Sequence, residues 1–175
     1  EEINMQRQFI LVSALTLALL ASCSGKTSGD SSASGDSVKF VTTQDGSAME
    51  IKSELFDTPA AKEFLATGKN SYVGNADAVT AGKKLFQMYS CTQCHGGDAG
   101  GQTGPSLHGP DFKYAKDATN KGMFETIWHG TNGGMGAKGK GLMDPSDPSN
   151  GLMPDEVLKI QAWVRSHNEK LTGNE

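Results

Sequence analysis

The chain has 175 residues, of which 36% are hydrophobic, 21% charged and 7% aromatic, and its 22 glycines indicate a loop-rich soluble protein. This length accommodates one domain of ordinary size and a targeting segment, so two full domains are not expected. The net charge of −4 excludes a protein that works on nucleic acid, and three cysteines are too few, and odd in number, for a disulfide scaffold.

An apolar run near the start of the chain predicts a signal peptide over residues 1–22. Residues 5–8 include a methionine and one arginine, and residues 9–21 are apolar or small apart from Ser13 and Thr16. The run is shorter than the roughly 18 to 20 apolar residues of a membrane-spanning helix. The pattern therefore favours a cleaved signal over a permanent transmembrane anchor.

The end of this run predicts a lipid anchor at Cys23. Residues 20–23 read Leu-Ala-Ser-Cys, which is similar to the lipobox of bacterial lipoproteins, whose cysteine is acylated and becomes the mature N-terminus. Residues 23–45 are assigned to a flexible tether, because Ser, Gly and Asp dominate residues 24–36 and such a segment buries too little apolar surface to fold. Folded chain is expected from about Val38. The protein is thus expected in the periplasm, held at a membrane; the alternative is an ordinary secretory signal, which leaves Cys23 without lipid.

Four helices are predicted along the rest of the chain. They cover, in order, Thr58–Gly68, Ala76–Tyr89, Thr119–His129 and Pro154–His167. The first has Thr58 as its N-cap, Pro59 at its first helical position and Gly68 after its end. In the last, Asp155 and Glu156 occupy the first turn, where the helix dipole favours acidic side chains. No strand alternation of useful length appears between the helices.

A Cys-x-x-Cys-His motif at residues 91–95 predicts covalent attachment of a c-type haem. Two cysteines at this spacing can each form a thioether with one haem vinyl group, so Cys91 and Cys94 are the expected attachment points and His95 is the expected iron ligand. A thioredoxin-like redox pair would follow a strand, whereas this motif follows a predicted helix. A structural zinc site needs four nitrogen or sulfur ligands. The remaining histidines, which stand alone and are expected to be solvated or to cap helices, are His108, His129 and His167.

Segments on both sides of this motif resemble a known family. The Gly-Lys-Lys-Leu-Phe run at 82–86, the Gly-Pro-Ser-Leu run at 104–107 and an amphipathic final helix with Trp163 are similar to those of class I cytochromes c. Four further segments resemble cytochrome c-L, the electron acceptor of periplasmic PQQ-dependent methanol dehydrogenases: Asp57–Asn70, Thr119–Ile127, Gly134–Gly136 and Ala162–Arg165. The resemblance covers about residues 56–165.

The resemblance implies an all-α, class I cytochrome c fold in which three to five helices surround one covalent haem c. On this basis residues 75–175 are assigned to the haem domain and residues 46–74 to an N-terminal extension with a short helix. The implied function is electron transfer and not enzymatic catalysis. The implied donor is a PQQ-dependent methanol or alcohol dehydrogenase, and the implied acceptor is another cytochrome c or an oxidase.

The resemblance also assigns roles to individual residues. It implies thioethers at Cys91 and Cys94, His95 as the proximal iron ligand and Met135 as the distal one. The remaining haem-binding positions that it implies are Pro105, whose carbonyl group would orient the histidine ring, and Leu107.

Three methionines are candidates for the distal ligand on the residues alone. Met135 follows a predicted helix within a Gly-Gly-Met-Gly run, whose glycines allow close approach to the haem. Met153 precedes a proline, as in the Met-Pro element of many small class I cytochromes, and Met143 lies between the two. Any of these thioethers would serve if placed at bonding distance. The methionines expected to lie in the core on helix faces are Met88 and Met123.

Two alternative functions stay open at this stage. One is a haem enzyme or sensor whose sixth coordination position is open, and the other is a haem subunit of a membrane respiratory complex.

Charge adds one more expectation. Between Val79 and Met143 there are seven lysines and four acidic residues, so lysines around the haem edge would steer the protein to an acidic partner unless they are merely solvated surface charges.

Overall fold

The computed structural model describes residues 37–168 and Leu171, so the predicted signal peptide and Cys23 lie outside the described residues. The described chain is mostly helical and has one small antiparallel sheet. Its strands are β1, Phe40–Val41, and β2, Ala48–Met49; its α-helices are α1, Pro59–Thr67; α2, Ala76–Met88; α3, Thr92–His95; α4, Asn120–His129; and α5, Pro154–Arg165. Short 3-10 turns cover Ser53–Leu55 and Ala115–Ala118. A search of the described residues finds no helix long and apolar enough to cross a membrane.

The four helices predicted from the sequence are present, with ends that differ by one or two residues. At α1, the Thr58 hydroxyl accepts a hydrogen bond from the Ala61 N–H at 3.1 Å, and Gly68 adopts a left-handed conformation with φ of 76°. These are the cap interactions that the sequence indicated. The last helix ends at Arg165, two residues before the predicted end.

Helices α2 and α5 cross in close contact at Gly82. A Cβ atom added to Gly82 would lie 1.9 Å from the Lys159 carbonyl oxygen, so no other residue fits there without separating the helices. One turn further along α2, the ring of Phe86 packs against Trp163 with centroids 4.6 Å apart. Gly82 thus lies against the backbone of Lys159 and Ile160, and Phe86 makes the aromatic contact with Trp163.

A buried carboxylate ties α1 and the following loop to α5. Asp155, in the first turn of α5, accepts hydrogen bonds at Oδ1 from the Thr58 hydroxyl at 2.7 Å and from the Tyr72 hydroxyl at 2.6 Å. Its Oδ2 pairs with Lys159 at 2.6 Å. Burial raises the pKa of this carboxyl group, but the hydrogen bonds from Lys159, Tyr72 and Thr58 outweigh burial and hold the pKa below its usual value.

The hairpin of β1 and β2 was not predicted, and β1 lies within the range 23–45 that the sequence analysis assigned to the tether. The Phe40 ring is buried and lies 5.2 Å from the ring of Phe124 in α4. Beside it, the Val41 N–H donates to the Glu125 carboxylate at 2.8 Å. Folded chain therefore reaches into that range because an aromatic residue and a backbone donor both find partners on α4.

Candidate functional site

The Cys-x-x-Cys-His motif forms a tight turn and the short helix α3, directly after α2. Ser90 has a positive φ of 60°, which turns the chain away from α2, and Cys91 then caps α3. Cys91 is partly buried and Cys94 is exposed, and both are free thiols. Burial raises the pKa of the Cys91 thiol, and the positive charge of nearby Lys138 offsets part of that rise.

The ring of His95 is oriented by a hydrogen bond of defined direction. Its Nδ1 lies 2.9 Å from the Pro105 carbonyl oxygen, as the resemblance implied. A carbonyl oxygen can only accept, so Nδ1 carries the proton and Nε2 keeps a lone pair for a metal. Gly104 permits this arrangement, because a Cβ there would lie 3.3 Å from His95 Cε1 and 3.2 Å from Cys94 Cβ.

A cavity of about 300 Å³ opens between this motif and the loop after α4. The predicted site residues that line it are Cys91, Cys94, His95, Pro105, Leu107 and Met135. A narrow apolar extension of the cavity, of about 50 Å³, reaches Phe86, Ile160 and Val164 in the core. Two free thiols, an imidazole with an available nitrogen, a thioether and apolar walls fit a covalently attached haem.

Met135 is the only one of the three candidate distal ligands among the described residues that line this cavity. Met153 lies at the N-cap of α5, and Met143 lies in the preceding loop. The Met135 carbonyl group accepts from the Thr131 N–H at 2.8 Å, which closes the loop on itself. Gly130 allows this turn, because a Cβ there would lie 2.5 Å from the Met135 carbonyl oxygen.

The other methionines and histidines fall outside the proposed ligand set. Met123 is buried, as expected, and lines the apolar extension, whereas Met88 is 71% exposed and the expectation that it lies in the core is wrong. It is the last residue of α2, where no other element covers it. His129 ends α4, as expected, and no histidine besides His95 is among the described residues lining the cavity. In the part of the chain that the structure describes, no cluster of three His, Cys, Asp or Glu side chains could hold a metal ion, which leaves the zinc alternative unsupported.

The lysines between Val79 and Met143 have different surroundings. Lys113 and Lys138 line the cavity and are the candidates for steering a partner. Lys116 and Lys121 instead pair with the buried carboxylate of Glu125, with 2.7 Å between Lys116 Nζ and Oε2. The expectation that lysines surround the haem edge stays a prediction, and Lys113 and Lys138 are the two of these seven lysines that line the cavity.

Sequence reasoning missed Asp117, a buried carboxyl group in the cavity wall. The Thr126 hydroxyl donates to its Oδ1 at 2.6 Å, and burial raises its pKa to about 6. Asp117 lies in a polar stretch that gives no sign of burial, because the turn at Ala115–Ala118 is buried only by its packing against α4. No local pattern could have identified it.

Comparison with known proteins places these features in a family. Residues 79–168 match the family model described as Cytochrome c. Over 132 residues the chain is 39% identical to cytochrome c-L of Methylorubrum extorquens. The matched residues make up 73% of this chain and 61% of that protein, so the chain spans less than two thirds of the relative's length. Over 90 residues it is 32% identical to subunit FixP of the cbb3-type cytochrome c oxidase of Sinorhizobium medicae, covering 51% of this chain and 30% of that protein.

Two crystal structures of cytochrome cL resemble the described fold. The protein from Methylophaga aminisulfidivorans is 37% identical, with a TM-score of 0.62 over 74% of this chain and 79% of its own. The protein from Hyphomicrobium denitrificans is 37% identical, with a TM-score of 0.63 over 74% of this chain and 73% of its own. Because the family model spans about half of the sequence and these structures share its fold, the chain belongs to the cytochrome c family, with a class I cytochrome c fold and covalent haem c as its cofactor.

Proposed function

We propose that this protein is a periplasmic electron carrier with one haem c, which accepts electrons from a PQQ-dependent methanol dehydrogenase. The observation that carries the proposal is the cavity at which Cys91, Cys94, His95 and Met135 meet. A bound haem supplies one-electron redox chemistry at its iron. The likeness to cytochrome c-L proteins, at 37 to 39% identity, supports the choice of donor.

In this proposal the sulfur atoms of Cys91 and Cys94 would hold the haem, and His95 Nε2 and Met135 Sδ would bind its iron. The Pro105 carbonyl group fixes the ring of His95, and Leu107 forms part of the apolar wall. If both side chains bind the iron, no position would remain on it for a substrate. That favours electron transfer over the alternative of a haem enzyme or sensor.

The distal ligand is tested by removing each candidate thioether. Met135→Ala should give a high-spin or water-ligated ferric haem that binds cyanide or carbon monoxide, with a lower potential, because a thioether favours the ferrous form. Met143→Ala and Met153→Ala are the matched controls and should keep a low-spin spectrum. A spectral change in Met153→Ala, with none in Met135→Ala, would refute the assignment of Met135.

The donor is tested by mixing the oxidised protein with calcium-dependent and with lanthanide-dependent PQQ alcohol dehydrogenases and following its reduction. Rapid reduction by one of them identifies the donor. Because steering by Lys113 and Lys138 is electrostatic, the rate should fall as salt is added. If neither enzyme reduces the protein, the methanol dehydrogenase assignment fails and a carrier with another donor remains.

The likeness to FixP supports a second candidate function, a haem subunit of a membrane respiratory complex. An acylated Cys23 would suit either function, since it would hold the protein beside a membrane-bound acceptor such as an oxidase or another cytochrome c. Purification from membranes in mild detergent separates the two. Stoichiometric co-purification with an oxidase favours the subunit, and recovery of the cytochrome alone favours the carrier.

A further inference from the structure

Asp117 is the one carboxyl group among the described residues that line the proposed haem cavity. It is 8% exposed and sits in the 3-10 turn before α4. A charged carboxylate in such a place is costly, since burial favours the neutral form of an acid. The roles proposed above for the motif and for Met135 make no use of it.

Two threonine hydroxyl groups connect Asp117 to the protein surface. Thr126 Oγ1 lies 2.6 Å from Asp117 Oδ1 and 2.8 Å from the hydroxyl of Thr43, which is half-buried in the hairpin turn. A carboxylate only accepts, so Thr126 donates its single proton to Asp117 and Thr43 donates to Thr126. When Asp117 is protonated, both hydrogen bonds can reverse. The chain of hydroxyl groups thus offers a path by which a proton reaches the buried carboxylate without opening of the fold.

Two charged side chains near Asp117 act on its ionisation in opposite directions. Lys116, beside it in the turn, favours the carboxylate, and Glu125 on α4 opposes it. Lys116 is shared with Glu125, at 2.7 Å, and of the two opposing charges that of Lys116 has the larger effect on Asp117. The other charged side chains at the cavity are Lys113 and Lys138. Burial is the largest influence and raises the pKa of Asp117 to about 6.

We propose that Asp117 takes up a proton from solvent, through Thr43 and Thr126, when the protein accepts an electron, and releases it when the electron leaves. This rests on the proposed function. One electron lowers the charge of the cavity by one unit, and one proton bound by the Asp117 carboxylate restores it. Because coupling between two binding events is reciprocal, protonation of Asp117 must equally favour reduction.

The test is the midpoint potential of the haem-loaded protein between pH 5 and pH 8, measured with chemical mediators and without any dehydrogenase. At pH values between the pKa of Asp117 in the oxidised protein and its pKa in the reduced protein, the equilibrium constant for reduction should fall by up to tenfold for each pH unit. This corresponds to a fall in the potential of about 59 mV. Asp117→Asn should reduce this slope and move the potential at pH 8 toward the low-pH value of the wild type, and any slope that the haem's own carboxyl groups cause is common to both proteins. Asp111→Asn, which removes an exposed carboxyl group, should retain the slope.

Proton uptake provides a second readout in weakly buffered solution with a pH indicator. Near pH 6, reduction of the wild type should take up a fraction of a proton, and reduction of Asp117→Asn should take up less. A flat potential in the wild type, or an unchanged slope in Asp117→Asn, overturns the proposal.

If Asp117→Asn does not incorporate haem, the variant Thr126→Val tests the proposal instead. Thr126→Val removes the hydrogen-bond donor to the Asp117 carboxylate, which should raise the pKa of Asp117. The pH range in which the potential changes should therefore move to higher pH, and an unshifted range overturns the proposal. Failure of the proposed function looks different, because the wild type would then show a high-spin haem or no reversible one-electron reduction.

Discussion

The crossing of α2 and α5 at Gly82 gives the most direct test of the fold. In Gly82→Ala, the new Cβ would lie 1.9 Å from the Lys159 carbonyl oxygen, and contacts under 3.0 Å essentially never occur, so the helices must separate by about 1 Å. Overpacking of this kind costs typically about 1 to 3 kcal/mol. Alanine offsets part of the cost, since it favours a helix by about 1 kcal/mol over glycine. The backbone contact cannot rotate away, so we expect an overpacking cost at the upper end of this range, about 3 kcal/mol, and a net loss of about 2 kcal/mol.

Urea unfolding of the haem-loaded protein measures this loss. With a denaturant slope of about 2 kcal/mol/M, the midpoint should fall by about 1 M in Gly82→Ala. The control is Lys83→Ala, at the adjacent exposed position of α2, which should change stability by no more than about 0.5 kcal/mol. A midpoint in Gly82→Ala at or above that of the wild type would mean that helix propensity dominates, and that the two helices are not in contact at this residue.

Three further perturbations test the site and its supports. Asp155→Asn should destabilise the protein at pH 7 by about 2 kcal/mol through weakened charge-assisted hydrogen bonds. Because the folded-state pKa of Asp155 is lowered, this difference should be fully present above about pH 4 and shrink as the pH falls through the folded-state pKa, which thermal unfolding across pH measures. Gly104→Val should displace His95 and reduce haem incorporation, as read from the ratio of Soret absorbance to protein, whereas Gly97→Val, with nothing within 4 Å of its Cβ, should not. Cys23→Ser should move intact, haem-loaded protein from the membrane fraction to the soluble periplasm, and persistent membrane association would contradict the proposed anchor.

The sequence predicted those elements whose signals are local. The cap residues of α1 and the Gly-rich turn around Met135 act within a few residues, and the structure has both where they were expected. The Pro105 carbonyl group was correctly expected at His95, because the family resemblance supplied a contact ten residues away that spacing alone does not give.

Features that depend on tertiary packing were not predictable in this way. Strands of two residues carry no alternation to detect, so the hairpin of β1 and β2 had no signal. Nothing in the sequence indicates that Asp117 is buried, and Met88 was wrongly expected to be buried. A polar residue is buried because α4 packs over it, and an apolar residue at the end of α2 is exposed because no element does.

The contacts of the hairpin explain how a segment outside the matched family region supports the site. The Gln44 carbonyl group accepts from the Asn132 side chain at 2.8 Å, in the loop that carries Met135, and Thr43 bonds Thr126 on α4. Glu125, 1% exposed, needs the Val41 N–H as well as its two lysines, since a buried carboxylate is tolerated only when its oxygens are fully paired. The hairpin and the helices that bear the cavity therefore share one core. A chain cut at residue 75 would lose a hydrogen-bond donor to Glu125, uncover the aromatic ring of Phe124 and release the Met135 loop from its anchor on the hairpin.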